Sequence, residues 1–161
     1  MEIIRLNKKS MANDKEYIFK VTIKGAPQIE LWRRVVALGN QSLYELAEGI
    51  INAFDFDDFD HAFGFFSNVK TPYHYDSGEI YELFYDIDKE NLDDPDEKVK
   101  SVKKTKISQA WKEESKQMLF LFDYGDDWQF LVRLEKIQKA TDGKKKYPFV
   151  LESKGKAPEQ Y

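Results

Sequence analysis

The sequence predicts an α+β fold: a mainly antiparallel sheet packed against one principal helix at about 43–54, with a minor helix near 106–112. Three features of the chain lead to this. Segments such as Tyr17–Lys24 and Trp128–Glu135 alternate apolar and polar residues with the period of two that a half-buried strand requires. Between them, Leu43, Leu46, Ala47, Ile50, Ile51 and Phe54 gather into one stripe when wound at about 100° per residue, the signature of an amphipathic helix. Aromatic residues make up 15% of the chain, a composition suited to pleated, half-buried surfaces.

Residues 1–15 read as a polar lead-in, with a short strand at Ile3–Leu6. The first long strand, Tyr17–Lys24, places Tyr17, Phe19, Val21 and Ile23 on one face and Lys20, Thr22 and Lys24 on the other. After the Gly25–Gln28 loop, Leu31–Leu38 forms its antiparallel partner, with Trp32, Arg34, Val36 and Leu38 on one side and Arg33 on the opposite side. Ser42 followed by Glu45 is a capping-box pattern that starts the principal helix. Asp55–Asp60 is an acidic linker at the wrong end of that helix for its dipole, so a nearby Lys or Arg is expected to offset it.

His61–Phe66 and Ile80–Tyr85 read as further strands, separated by a loop with a turn at Asp76–Gly78. Residues 86–97 hold seven acids against one lysine and residues 98–106 carry five lysines, together a solvated acidic and basic loop. Ile107, Ala110 and Trp111 give the minor helix its inward side. Met118–Phe122 and Trp128–Glu135 form a hairpin across Asp123–Asp127, where Gly125 is expected to supply a left-handed backbone position. Asp142–Lys146 is a second turn, and the tail from Tyr147 shows little periodicity. No repeat or second domain appears, so residues 16–161 are expected to be one domain.

The 161 residues carry a formal net charge of −4, which gives no general attraction to nucleic acid or anionic membranes. No run approaches the roughly 20 apolar residues of a membrane span, and the apolar start is too short for a signal peptide. A cytoplasmic protein is the expectation. With no cysteine, thiol catalysis, disulfides and thiolate metal sites are excluded. Phosphate-binding glycine loops and the serine-hydrolase elbow are absent, and only His61 and His74 supply imidazoles.

Four constellations stand out. His61 with Asp123, Asp126 and Asp127 combines an imidazole with carboxylates, a set suited to a divalent metal or a general base; its plainer reading is a strand-start histidine beside a turn whose acids make local hydrogen bonds. Asp55–Asp60 resembles a calcium loop but has Phe59 and Asp60 where an EF-hand needs an oxygen ligand and a glycine. Arg33 and Arg34 point to opposite faces, so only one joins Trp32, and a salt bridge to the 123–127 hairpin is the simpler role for it. The lysines at 98–106 and 144–146 invite nucleic acid, but the neighbouring acids cancel much of their field.

Tyr17–Gly25, Leu31–Arg34, the helix from Leu43, His61–Phe63, Asp123–Trp128 with Val132–Lys136, and Tyr147-Pro148 together resemble the root-inducing-plasmid ORF-3-like family over most of residues 16–158. The resemblance implies an α+β domain, a mobile-element or ordinary microbial setting and no settled activity; the resolvase-like name some members carry finds no support in these residues. Members often have cysteines near a final proline-acidic segment, whereas Val150–Gln160 has none, so a metal or redox role tied to such cysteines does not extend to this chain.

The resulting expectation is a non-catalytic binding or interaction module without a resident cofactor, with a protein as first partner, nucleic acid second and no membrane. A metal-dependent hydrolase or nuclease using His61 and the 123–127 acids is the alternative, and a nucleic-acid-binding accessory protein of a mobile element the third reading. The expected binding surface gathers Arg34, His61, Asp123, Asp126 and Trp128.

Overall fold

A computed structural model describes residues 15–26, 30–57, 59–83, 98–140 and 145–160. Eight strands form one sheet: β1 (Lys15–Ile23), β2 (Trp32–Leu38), β3 (Phe63–Phe66), β4 (Ile80–Glu82), β5 (Val99–Ser101), β6 (Gln117–Phe122), β7 (Trp128–Lys139) and β8 (Phe149–Lys154), in the spatial order β5-β4-β3-β6-β7-β1-β2-β8. Among the described residues the helices are α1 (Leu43–Ala53) and α2 (Ile107–Ala110), and a 3₁₀ turn spans Tyr73–Tyr75.

The alternating faces are those of the sequence pattern. Phe19 and Val21 of β1, Phe120 and Phe122 of β6, and Phe130, Val132 and Leu134 of β7 are fully buried in one apolar cluster with Leu43, Leu46, Ala47, Ile50 and Ile51 of α1. Burying a side chain of this size is worth about 1.5–3 kcal/mol, so this face supplies most of the fold's driving force. Ser42 caps α1: its Oγ accepts from Glu45 N, while the Glu45 carboxylate accepts from Ser42 N.

Several expectations are corrected. The sheet is mixed, because β4 and β5 run parallel. The principal helix does not lie across the whole sheet. It sits near β2 and the segment entering β8, where a Cβ on Gly49 would come within 2.8 Å of Pro148. Much of the remaining core is closed by aromatics outside any long helix: Trp111, Phe56 and Phe59 pack on Phe19, Phe130 and Phe122. The minor helix is only four residues long, since Trp111 turns extended and buries its indole against Phe19 and Phe65. The tail contains β8, an edge strand on β2 with a bulge between Arg34 and Val35. Of the expected strand Ile80–Tyr85, Ile80–Glu82 is strand and Leu83 a turn, and 84–85 lie outside the described residues. Residues 1–14 of the expected lead-in, with Ile3–Leu6, residues 86–97 of the expected 86–106 loop and most of the Asp142–Lys146 turn lie outside the described residues, while Lys15 already belongs to β1 and the basic part of that loop carries β5, paired with β4.

A second, smaller apolar cluster occupies the other face of the sheet. Phe66, Ile80, Leu119 and Leu121 form it, joined by Val69, Val99, Tyr124 and Leu131. The 67–79 segment closes over it, with the His74 and Tyr75 rings 4.8 and 5.1 Å from Phe66.

Candidate functional site

Asp123 organises the hairpin between β6 and β7. Its N–H donates to Ala62 O at 2.8 Å, and its carbonyl accepts from Asp126 N at 3.0 Å and Asp127 N at 2.7 Å. Asp123 and Asp127, each at φ 57°, supply the left-handed positions expected of Gly125, which does not adopt one. Aspartate tolerates that region because its short side chain hydrogen-bonds locally.

The turn brings the Asp123 carboxylate to the imidazole of His61, Oδ2 to Nδ1 3.4 Å, with His61 27% and Asp123 13% exposed. The His61 ring stands edge-on to Phe122. Trp128 opens β7 opposite Phe122 and packs on Phe56 at 4.9 Å, its indole Nε1 buried without a hydrogen-bond partner. Asp126 and Asp127 are exposed, and the Asp127 carboxylate accepts from Gln129 Nε2. Among the described residues, no three His, Asp or Glu side chains converge as a metal-holding group.

Arg34 is not part of this cluster. It lies on β2, three strands from β6, which is roughly 14 Å at about 4.8 Å per strand. Its guanidinium pairs with Glu135 at 2.7 Å and Glu152 at 3.2 Å rather than with a hairpin acid, and it lies 4.6 Å from the Trp32 ring. Its hydrogen bond to the Glu135 carboxylate raises its pKa further. Arg33, on the opposite face, is only 4% exposed. It donates to Ala53 O at 2.9 Å and to Trp32 O and Lys154 O, with its guanidinium over Phe54. This is the cation expected at the C-terminal end of α1. Burial lowers its pKa, partly offset by the charge of Asp55.

A polar cluster that the sequence reading missed sits at the same end of the sheet on the other face. Glu82 of β4 is 7% exposed. One of its carboxylate oxygens accepts from the Tyr75 hydroxyl at 3.1 Å and from the Tyr124 hydroxyl at 2.5 Å. Burial, then the charge and hydrogen bond of Glu82, push the Tyr75 phenol up to about 12, and the same causes raise Tyr124 more strongly. Both phenols are therefore held protonated, as donors rather than bases. Gly64 on β3 makes this approach possible, since a Cβ there would lie 2.8 Å from the Tyr124 hydroxyl. A glycine inside the otherwise apolar Phe63–Phe66 strand was the available signal. Nearby, Lys116 donates to both carboxylate oxygens of Glu79, which also accepts from Tyr81.

The outer face of β7, β1, β2 and β8 carries charged and polar residues between Leu131 at one end and Val36 at the other. Strand register aligns Arg133, Lys20, Arg34 and Glu152 in one row, and Leu131, Thr22, Trp32 and Lys154 in the next. Arg133 and Lys154 are exposed, while Lys20, Trp32 and Arg34 are half-buried. The Lys20 ammonium lies 5.4 Å from the Trp32 ring centroid.

A search among curated proteins found no match. In structure the chain is similar to the protein of unknown function MM3350 from Methanosarcina mazei Go1, at 27% identity and a TM-score of 0.69, over 93% of this chain and 75% of that one. A family model described as plasmid pRiA4b ORF-3-like protein matches residues 15–160, and the chain belongs to that family.

Proposed function

We propose that this member of the plasmid pRiA4b ORF-3-like family is a single-domain, non-catalytic binding module that works in the cytoplasm, in a mobile-element or host-adaptation setting. What supports the reading is the division of the sheet's outer face. One half carries an apolar cluster beneath the 67–79 segment, whereas the half on β7, β1, β2 and β8 presents polar and charged rows around Trp32. Rigid sheet positions are suited to holding such a surface in a fixed arrangement. The test is to identify a partner retained by the immobilised chain and titrate the purified partner back by calorimetry. Binding lost on Arg133→Ser with Trp32→Ala but kept on His61→Ala supports the reading; unchanged binding in the double variant refutes it for this face.

The His61–Asp123 contact favours a second reading, a metal-dependent hydrolase or nuclease. It needs a further oxygen ligand from the exposed Asp126 or Asp127. Stoichiometric binding of magnesium, manganese or zinc that is abolished by Asp126→Ala would establish it over the first.

A further inference from the structure

We propose that the outer face of β7, β1 and β2 binds single-stranded nucleic acid, with Lys20 and Arg133 taking phosphates and Trp32 stacking a base. This rests on the reading of that face as a binding surface.

The first observation is an unfavourable charge arrangement. Arg133, Lys20 and Arg34 stand directly opposite one another on three adjacent strands. Like charges in that relation destabilise a sheet. Arg34 is compensated by Glu135 and Glu152, but among the described residues neither Lys20 nor Arg133 has a carboxylate partner. With Lys154 in the next row, four cations lie in these two rows beside the carboxylates of Glu135 and Glu152, while the third carboxylate of the face, Glu16, is buried further along β1 and accepts from Gln138 and Tyr147, on a chain whose net charge is −4. Positive charge is thus concentrated here against the average of the molecule, which is complementary to a polyanion.

The second observation chooses between polyanions. An acidic peptide needs the cations alone. Trp32 sits among them, with the Arg34 guanidinium over its ring at 4.6 Å from the centroid and the Lys20 ammonium over it at 5.4 Å, so a base stacks on this ring in place of the Lys20 ammonium as that group turns to a phosphate. Aromatic and guanidinium planes beside phosphate-binding cations are what an unpaired strand uses, because every base offers a π-face. A duplex would hide its bases and leave Trp32 without a role. The lysines of 98–106, by contrast, flank β5 at the far edge of the sheet.

The experiment is fluorescence anisotropy of a fluorescein-labelled oligothymidylate with the full chain across a salt series. Expected is an affinity that falls with salt at a log–log slope of roughly −0.7 per phosphate engaged. Lys20→Ser with Arg133→Ser should shrink that slope by about 1.4, on the same relation. Trp32→Phe should abolish quenching of indole fluorescence by the oligonucleotide. Arg133 is exposed, but Lys20 is half-buried with its ammonium over Trp32, so circular dichroism checks that the serine variants fold. Salt-dependent binding unchanged in the Lys20/Arg133 variant but lost in Lys100→Ser/Lys103→Ser would overturn the proposal in favour of the β5 edge. Binding of polyglutamate with no binding of oligothymidylate would overturn it in favour of an acidic protein. Absence of both, with a calorimetric partner still lost on Arg133→Ser/Trp32→Ala, would refute the nucleic-acid inference and leave the binding-module reading standing.

Discussion

Replacing Gly64 with alanine tests whether the Tyr75–Glu82–Tyr124 cluster is held by close packing on β3. The new Cβ would lie 2.8 Å from the Tyr124 hydroxyl, 2.9 Å from Glu82 Cγ and 3.0 Å from the Tyr81 carbonyl. Carbon contacts normally settle near 3.5–4.0 Å, so these neighbours must retreat by about 0.5–1 Å. The Tyr81 carbonyl is backbone of the neighbouring strand and cannot swing away, so the hydroxyl and the carboxylate stem must move. Overpacking of this kind costs about 1–3 kcal/mol, and weakening a hydrogen bond to a buried carboxylate up to about 1.5–3 kcal/mol more. A total of about 3 kcal/mol is expected, or a fall in Tm of roughly 6–12 °C at this chain length. Urea unfolding at neutral pH, followed by far-UV circular dichroism, reads it as a lower midpoint at unchanged slope. Tyr124→Phe alone should cost about 2 kcal/mol. In that background the tightest obstruction is gone, so Gly64→Ala should then cost at least about 1 kcal/mol less than it does alone. Additivity of the two changes within about 0.5 kcal/mol would refute the packing argument.

Arg33→Met should destabilise by about 3–4 kcal/mol, because the carbonyls of Ala53, Trp32 and Lys154 lose a buried donor, whereas Arg34→Met should change stability by no more than about 1 kcal/mol; urea midpoints of the two variants decide this. Ser42→Ala should cost about 1 kcal/mol through loss of the α1 cap, measured the same way, with Ser42→Asp recovering most of it. Tyr75, Tyr81 and Tyr124 have folded-state pKa values raised above 10.0, so the stability they contribute is full below that value and is lost as pH rises through the folded values; phenolate absorbance should show these three ionising last, together with unfolding. Glu79 is raised by burial but lowered on balance by its hydrogen bonds from Lys116 and Tyr81, so its contribution is full above pH 4.5 and is lost as pH falls through the lower folded value; Lys116→Met should flatten the acid limb of the stability profile.

The elements legible in the sequence are those with one wet and one dry face. Tyr17–Ile23 and Trp128–Leu134 alternate because each faces the core on one side only, and Leu43–Phe54 shows its stripe for the same reason. β8 gave no such signal: Val150 to Lys154 is exposed on both sides, and its place is set by pairing with β2, which leaves no periodic trace. β5 is three residues long and parallel to β4, too short for a pattern. At the site, strand period alone sent Arg33 and Arg34 to opposite faces. Which of the two would be buried depended on where α1 ends, and so did not follow from local spacing. The hairpin and its nearness to His61 were visible, but Tyr124 read as one more turn residue, because its partner Glu82 arrives from β4, two places from β6 in the sheet order, and not from any neighbour in the chain.

The position of β1 between β7 and β2 bears on how the molecule assembles. One edge of β1 meets β2 a short loop away, but the other waits for β7, where Lys20 pairs with Arg133. On the ribosome, the β1–β2 hairpin and α1 therefore emerge long before the strand that completes the sheet's centre. During that interval the hydrogen-bonding edge of β1 that pairs with β7 has no native cover, and the Phe19 ring lacks its neighbour Trp111 until that residue has emerged. Non-local pairing of this kind slows folding toward the millisecond-to-second range typical of sheet-rich topologies, and an unpaired apolar strand is a template for aggregation. Nascent chains stopped between α1 and β7 should accordingly bind chaperones strongly, and release should coincide with the appearance of Trp128–Leu134.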